Sequence, residues 1–137
     1  MSARTKARKR ALDVLYGADV RQESAAESLE RESRRALDEP QRRSSWEYAR
    51  EIVEGVIEHQ TSIDELIETY AQGWTLERMP AVDRAILRIG IWELAHNPDI
   101  PPGVAIAEAV EAASVLSTDD SAGFVNGLLG RIAAAVR

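Results

Sequence analysis

Apolar residues recur along most of the chain at i, i+3, i+4 and i+7, the spacing that gathers them on one face of an α-helix, and no stretch alternates with period two for long. The first stripe, Ala11, Val14, Leu15 and Ala18, predicts a helix over residues 3–20. Ser24-Ala25-Ala26-Glu27 has capping-box spacing and opens a polar helix to about Leu37. Pro40 and a polar loop follow. Ser44-Ser45-Trp46-Glu47 is a second such box, ahead of the stripe Ala49, Ile52, Val53, Val56 and Ile57. Ser62-Ile63-Asp64-Glu65 predicts another helix start. Its stripe is Ile63, Leu66, Ile67, Tyr70, Ala71 and Trp74, and Gly73 near its end suits a left-handed cap.

Pro80 suits the first turn of the next helix, which is apolar on most sides from Val82 to Ala95 and therefore belongs at the centre of a bundle. Pro98, Pro101 and Pro102 interrupt the chain before a helix over about Val104–Leu116. Ser117-Thr118-Asp119-Asp120 then resembles a cap for a last helix carrying Val125, Leu128, Leu129, Ile132, Ala133 and Val136. The pattern predicts an all-α protein of about seven helices. No internal repeat or domain boundary stands out, so residues 1–137 read as a single domain.

Composition narrows this. A chain of 137 residues is about one domain and can bury an adequate core without staples. It has no cysteine, which excludes a disulfide framework, cysteine zinc sites and thiol catalysis and suits a reducing compartment. No span approaches the ~18 apolar residues of a membrane helix. No apolar region follows the basic N-terminus as a signal peptide requires. The chain is expected to be complete, cytoplasmic and without a membrane association.

The net charge of −6 argues against a nucleic-acid ligand, but its distribution reverses that inference. Residues 1–10 carry Arg4, Lys6, Arg8, Lys9 and Arg10 and no acid, +5; the other 12 basic and 23 acidic residues leave −11 for residues 11–137. An acidic body with a basic arm suggests an arm that meets an anion.

Catalytic machinery is not visible. The two histidines, His59 and His96, have no second histidine or cysteine at i+3 or i+4, so no metal is expected. There is no GxxxxGK[ST] or GxGxxG phosphate cradle, and the acids are spaced on polar helix faces. No cofactor and no catalytic residue is assigned, and the chain is not expected to be an enzyme.

What remains is the arm and a few isolated side chains. The arm is either a nucleic-acid contact, through counterion release and guanidinium–phosphate geometry, or a frayed solubilising terminus. Phe124 is the only phenylalanine and lies one step off the last apolar stripe, so it is peripheral core or an exposed surface for a base to stack on. Arg84 and Arg88, four apart in the apolar central helix, pair with acids of neighbouring helices or form an anion site; pairing is the simpler reading.

Three segments together carry a resemblance. They are Ala7-Arg8-Lys9-Arg10-Ala11-Leu12-Asp13-Val14-Leu15-Tyr16, Pro80-Ala81-Val82-Asp83-Arg84-Ala85-Ile86-Leu87-Arg88-Ile89-Gly90-Ile91-Trp92-Glu93-Leu94, and the stretch from Ile100-Pro101 to Asp120-Ser121-Ala122-Gly123-Phe124-Val125-Asn126-Gly127-Leu128-Leu129. In order and spacing the chain resembles the NusB family of transcription antitermination factors over nearly its whole length, the polar second helix least.

That resemblance implies two packed helical bundles in one compact domain. It implies binding of single-stranded boxA RNA in ribosomal RNA leader transcripts, together with a small-subunit ribosomal protein that doubles as NusE. The pair would then join other Nus factors on RNA polymerase. The family's arginine-rich motif falls on Arg4, Lys6, Arg8, Lys9 and Arg10, its RNA-proximal aromatic on Tyr16, and its RNA-proximal helix start on Asp120, Ser121 and Phe124. Asp83 falls where the family has an acid facing the protein partner. Thr5 stands where many relatives are basic, and Ala107 where many have asparagine. The resemblance leaves monomer and homodimer both open. Two other readings stand beside it: an RNA-docking helical domain like that of ribosomal RNA cytosine methyltransferases, and a protein-binding scaffold.

Overall fold

The computed structural model describes residues 2–137. Among them there are six α-helices, two short 3-10 turns and no strand. The helices are α1 (Ala3–Arg21), α2 (Ala25–Leu37), α3 (Arg43–Tyr70), α4 (Ala81–His96), α5 (Pro102–Leu116) and α6 (Ser121–Val136). They fall into two compact units, Met1–Glu58 and His59–Arg137. The all-α expectation holds, with six helices instead of about seven.

The difference lies in α3. Two helical segments meet at a kink inside α3, close to the separate helices expected there, but neither serine box caps a helix start. The 3-10 turn Pro40–Arg42 passes straight into α3, which begins at Arg43, so Ser44 lies inside the helix. At the second place the helix bends without ending: His59 leaves helical geometry (φ −110°, ψ 16°), and Ser62 Oγ donates to the His59 carbonyl at 3.0 Å. A hydroxyl expected to cap free N–H groups instead supplies a donor at the bend. The His59 ring also stacks on His96, with centroids 3.6 Å apart.

In the first unit α1 and α2 form a hairpin. Ser2 caps α1, its Oγ accepting from the Thr5 N–H at 3.1 Å, and Gln22 ends the helix in the left-handed region at φ 56°. Ser24 caps α2 as expected, accepting from the Glu27 N–H at 3.1 Å. Ala7, Ala11, Val14, Leu15 and Ala18 are buried on α1, and Ala49, Ile52, Val53 and Val56 on α3.

Glu23, in the turn of the hairpin, accepts hydrogen bonds from Arg31, Ser28 and Arg21. Arg31 first, then Ser28 and Arg21, hold its carboxyl down at about 2 from an ordinary 4.5. A lowered carboxylate pKa gives stability that is present above the unfolded value and lost as the pH falls from about 4.5 through about 2. Glu23→Gln should therefore flatten the acid limb of the stability curve. Urea midpoints of the wild type should fall more than those of the variant over that window, and parallel curves would contradict the assignment.

In the second unit α4 is the central helix, in contact with both α5 and α6. Ten of its sixteen residues are buried, as its all-round apolar character predicts. α5 turns Ala105, Ala109 and Ala113 inward, and α6 turns Val125, Leu128, Leu129 and Ile132 inward. Gly90 permits the close approach of α4 to α6: a Cβ there would stand 2.9 Å from Leu129 Cδ1. Arg137 fastens the C-terminal end of α4, donating to the carbonyls of Leu94, Asn97 and Glu93 at 2.9, 2.9 and 3.1 Å. The carbonyls of Glu93 and Asn97 also accept from the backbone N–H groups of Asn97 and Ile100, so Arg137 adds a second donor at each.

Candidate functional site

The basic arm is helical. Arg4 to Arg10 occupy the first turns of α1, so helix geometry sends the five cations in three directions. Arg4 and Arg8 turn toward α3, their guanidinium carbons 4.9 and 5.9 Å from the centre of the Tyr48 ring, within cation–π range. Arg8 is buried, 9% exposed. Arg10 is half-buried, and its Nε donates to Ser45 Oγ at 2.7 Å.

Lys6 and Lys9 point elsewhere. Together with Asp13, Tyr16 and Val20 they form an exposed stripe spanning an arc of about 80° on α1. Lys9 Nζ meets Asp13 at 2.6 Å, and Tyr16 is 42% exposed. The frayed-terminus alternative does not describe this arm. It is a helix end with its three arginines set against α3 and its lysines in solvent.

In the second unit the start of α6 is built on a buried hydroxyl–carboxylate network. Asp83, in the first turn of α4, is 3% exposed and accepts from Ser117 Oγ at 2.5 Å and Ser121 Oγ at 2.8 Å. Ser121 Oγ also lies 2.9 Å from Ser117 Oγ and 2.8 Å from Thr118 Oγ1. The carboxylate thereby ties the α5–α6 turn to α4, where an acid in a first helical turn is also favoured by the dipole. Asp83 and Ser121 thus face inward, while Asp120, at the cap position of α6, is exposed and makes no side-chain cap bond.

Phe124, one turn into α6, is half-buried and meets Trp74 edge-on, with centroids 6.2 Å apart and planes at 60°. Trp74 is 52% exposed. The sequence assigned it to a buried helical stripe, but α3 ends at Tyr70 and the chain turns through Gln72 (φ 52°) and Gly73 (φ 96°). The available signal was Gly73 itself: a left-handed cap there puts residue 74 outside the helix.

Arginines hold that segment in place. Arg131 of α6 donates to the Tyr70 carbonyl at 3.1 and 3.2 Å, and Arg84 of α4 to the carbonyls of Leu76 and Met79 at 2.9 and 2.7 Å. Arg88 grips Asp64 through two bonds of 2.9 and 3.1 Å. Arg88 therefore pairs with an acid, as the simpler reading had it, while Arg84 binds backbone carbonyls. Among the described residues no group of three or more histidine, cysteine or carboxylate side chains is placed to hold a metal, and no helix is long and apolar enough to cross a membrane.

The NusB family model matches residues 5–134. The transcription antitermination protein NusB of Leifsonia xyli subsp. xyli is 74% identical over 133 residues, covering 97% of this chain and 92% of the relative. Among solved structures, T. maritima NusB superposes with a TM-score of 0.84 at 37% identity, covering 96% of this chain and 90% of that one. A crystal structure of the antitermination factors NusB and NusE with double-stranded RNA gives 0.82 at 29% identity, covering 98% of both chains.

Proposed function

Because the chain belongs to the NusB family, we propose that it is a non-catalytic, RNA-binding transcription antitermination factor working in the cytoplasm. Its ligand is boxA RNA of ribosomal RNA leader transcripts, and its partner is the ribosomal protein that serves as NusE. The pair acts with other Nus factors on RNA polymerase. The relative solved with NusE and RNA supports this reading.

The observation that carries it is the exposed α1 stripe, where Lys6 and Lys9 stand beside Tyr16 on an ordered helix. Lysines there neutralise phosphates and position a strand; they cannot read its sequence. Reading falls to aromatic surface that unpaired bases can stack on, which Tyr16 offers in one unit and Trp74 with Phe124 in the other. Arg4, Arg8 and Arg10 add positive potential, with Arg8 and Arg10 acting chiefly by fixing α1 on α3. Asp120 and Ser121 form the helix start beside Phe124.

Asp83 is a positioning residue in this account. Its buried carboxylate acts on partner binding through the α5–α6 turn that it anchors. The −11 charge outside the arm suits a basic ribosomal protein.

A fluorescence-anisotropy titration tests the proposal. A single-stranded boxA oligonucleotide should bind more tightly than a shuffled one of equal length, and NusE should widen the gap. Equal binding of the two, with and without NusE, would overturn it.

A further inference from the structure

Within the first unit, α1, α2 and the start of α3 line an open cavity of about 310 Å³. Arg10 and Arg21 of α1 and Arg35 of α2 converge on it, Trp46 of α3 forms part of its wall, and Asp13 and Glu32 complete the polar lining. We propose that this cavity binds a nucleotide, its phosphate held by the three guanidinium groups and its base against the Trp46 ring.

The donor inventory supports a phosphate. Arg10 uses only Nε, on Ser45. Arg21 uses Nε and Nη2 on Glu23, leaving Nη1. Arg35 uses Nη1 on Glu32, leaving Nε and Nη2. Each guanidinium is therefore held by one neighbour yet keeps N–H donors for a ligand, the fork arrangement that suits phosphate oxygens. Gly17 contributes space: a Cβ there would stand 2.9 Å from Arg21 Nη2, so the guanidinium can lie back along α1.

The two carboxylates argue for more than an inorganic anion. Asp13 meets Lys9 at 2.6 Å and Glu32 shares Arg35 at 3.3 Å, and three guanidinium groups against two carboxylates leave the lining net positive. Both remain acceptors for ribose hydroxyls or base N–H groups, which a free phosphate lacks. The indole face offers a base a stacking platform, and base–aromatic stacking does not require a particular sequence.

The nucleotide can belong to a bound RNA strand or be free in solution. The strand-borne form rests on the RNA-binding reading, because Asp13 lies both in the cavity lining and on the exposed α1 stripe; the free form does not rest on it.

Nitrogen–proton NMR on the full chain separates the cases through the Trp46 indole resonance, assigned with Trp46→Phe. AMP, inorganic phosphate and a boxA oligonucleotide serve as probes, against wild type and Arg35→Ala, an exposed side chain whose loss leaves the hairpin core intact. The proposal expects the Trp46 signal to move with AMP or the oligonucleotide, and Arg35→Ala to weaken that response about tenfold or more. Response to the oligonucleotide alone assigns the strand-borne form, and response to AMP assigns the free form. An equal response to inorganic phosphate overturns the role of the base. Oligonucleotide binding that moves α1 stripe signals and leaves Trp46 unmoved overturns the pocket while the RNA reading stands.

Discussion

Asp83→Ala should destabilise the protein by about 3 kcal/mol or more, because two hydroxyls lose their acceptor, a carboxylate only 3% exposed. Bonds to a charged group contribute about 1.5–3 kcal/mol each, and Ser117 and Ser121 keep only each other and Thr118 afterwards. Against this, removing a buried carboxylate relieves its desolvation, which is why the expected loss stays near the low end of that sum. Asp83→Asn keeps an acceptor oxygen and should cost less. Chemical denaturation at neutral pH checks both variants. A loss below about 1 kcal/mol for Asp83→Ala would mean that the network does not hold the α5–α6 turn. The same variants separate positioning from contact: if Asp83 acts through the turn, Asp83→Asn should recover most of the affinity for NusE that Asp83→Ala loses.

The second large effect falls on binding. Trp74 is more than half exposed, so Trp74→Ala should change the melting temperature little. If bases stack on this edge, its loss should cost about 1–3 kcal/mol of RNA affinity, roughly 5- to 150-fold. Phe124→Ala removes the ring that Trp74 meets edge-on, so it should cost both affinity and some stability. The double variant should lose less than the sum of the single losses, since each ring orients the other. Anisotropy titrations beside thermal melts give both quantities, and unchanged RNA affinity in Trp74→Ala with an intact fold would remove this edge from the interface.

These residues mark how far the sequence could be read. The stripes of α4 and α6, the Ser24 cap and the order of the helices were legible because they are local patterns whose period matches their burial. Capping at Ser44 and Ser62 was not, because a serine caps only where the preceding backbone leaves the helix. Here a 3-10 turn runs into α3 before Ser44, and at His59 the helix bends and continues. The fate of Asp83 depends on partners 34 and 38 residues away, which no local window contains.

The arm shows the same limit. Its charge was plain, but charge alone does not say which cations face solvent. Helix phase sends Arg8 into the structure and Lys6 and Lys9 outward, and Tyr48 and Ser45, which receive the arginines, carried no signal of their own. Arginine substitutions in the arm therefore disturb the packing of α1 as well as any ligand binding.

The salt dependence of RNA binding in Lys6→Ala plus Lys9→Ala decides whether RNA lies on α1, since both side chains are exposed and neither holds the fold. If the strand lies on the α1 stripe, the slope of log affinity against log salt for a single-stranded boxA oligonucleotide should shrink by about 0.7 for each phosphate that the variant no longer neutralises, up to roughly 1.4. A variant that melts like the wild type yet keeps the same slope and affinity would contradict it.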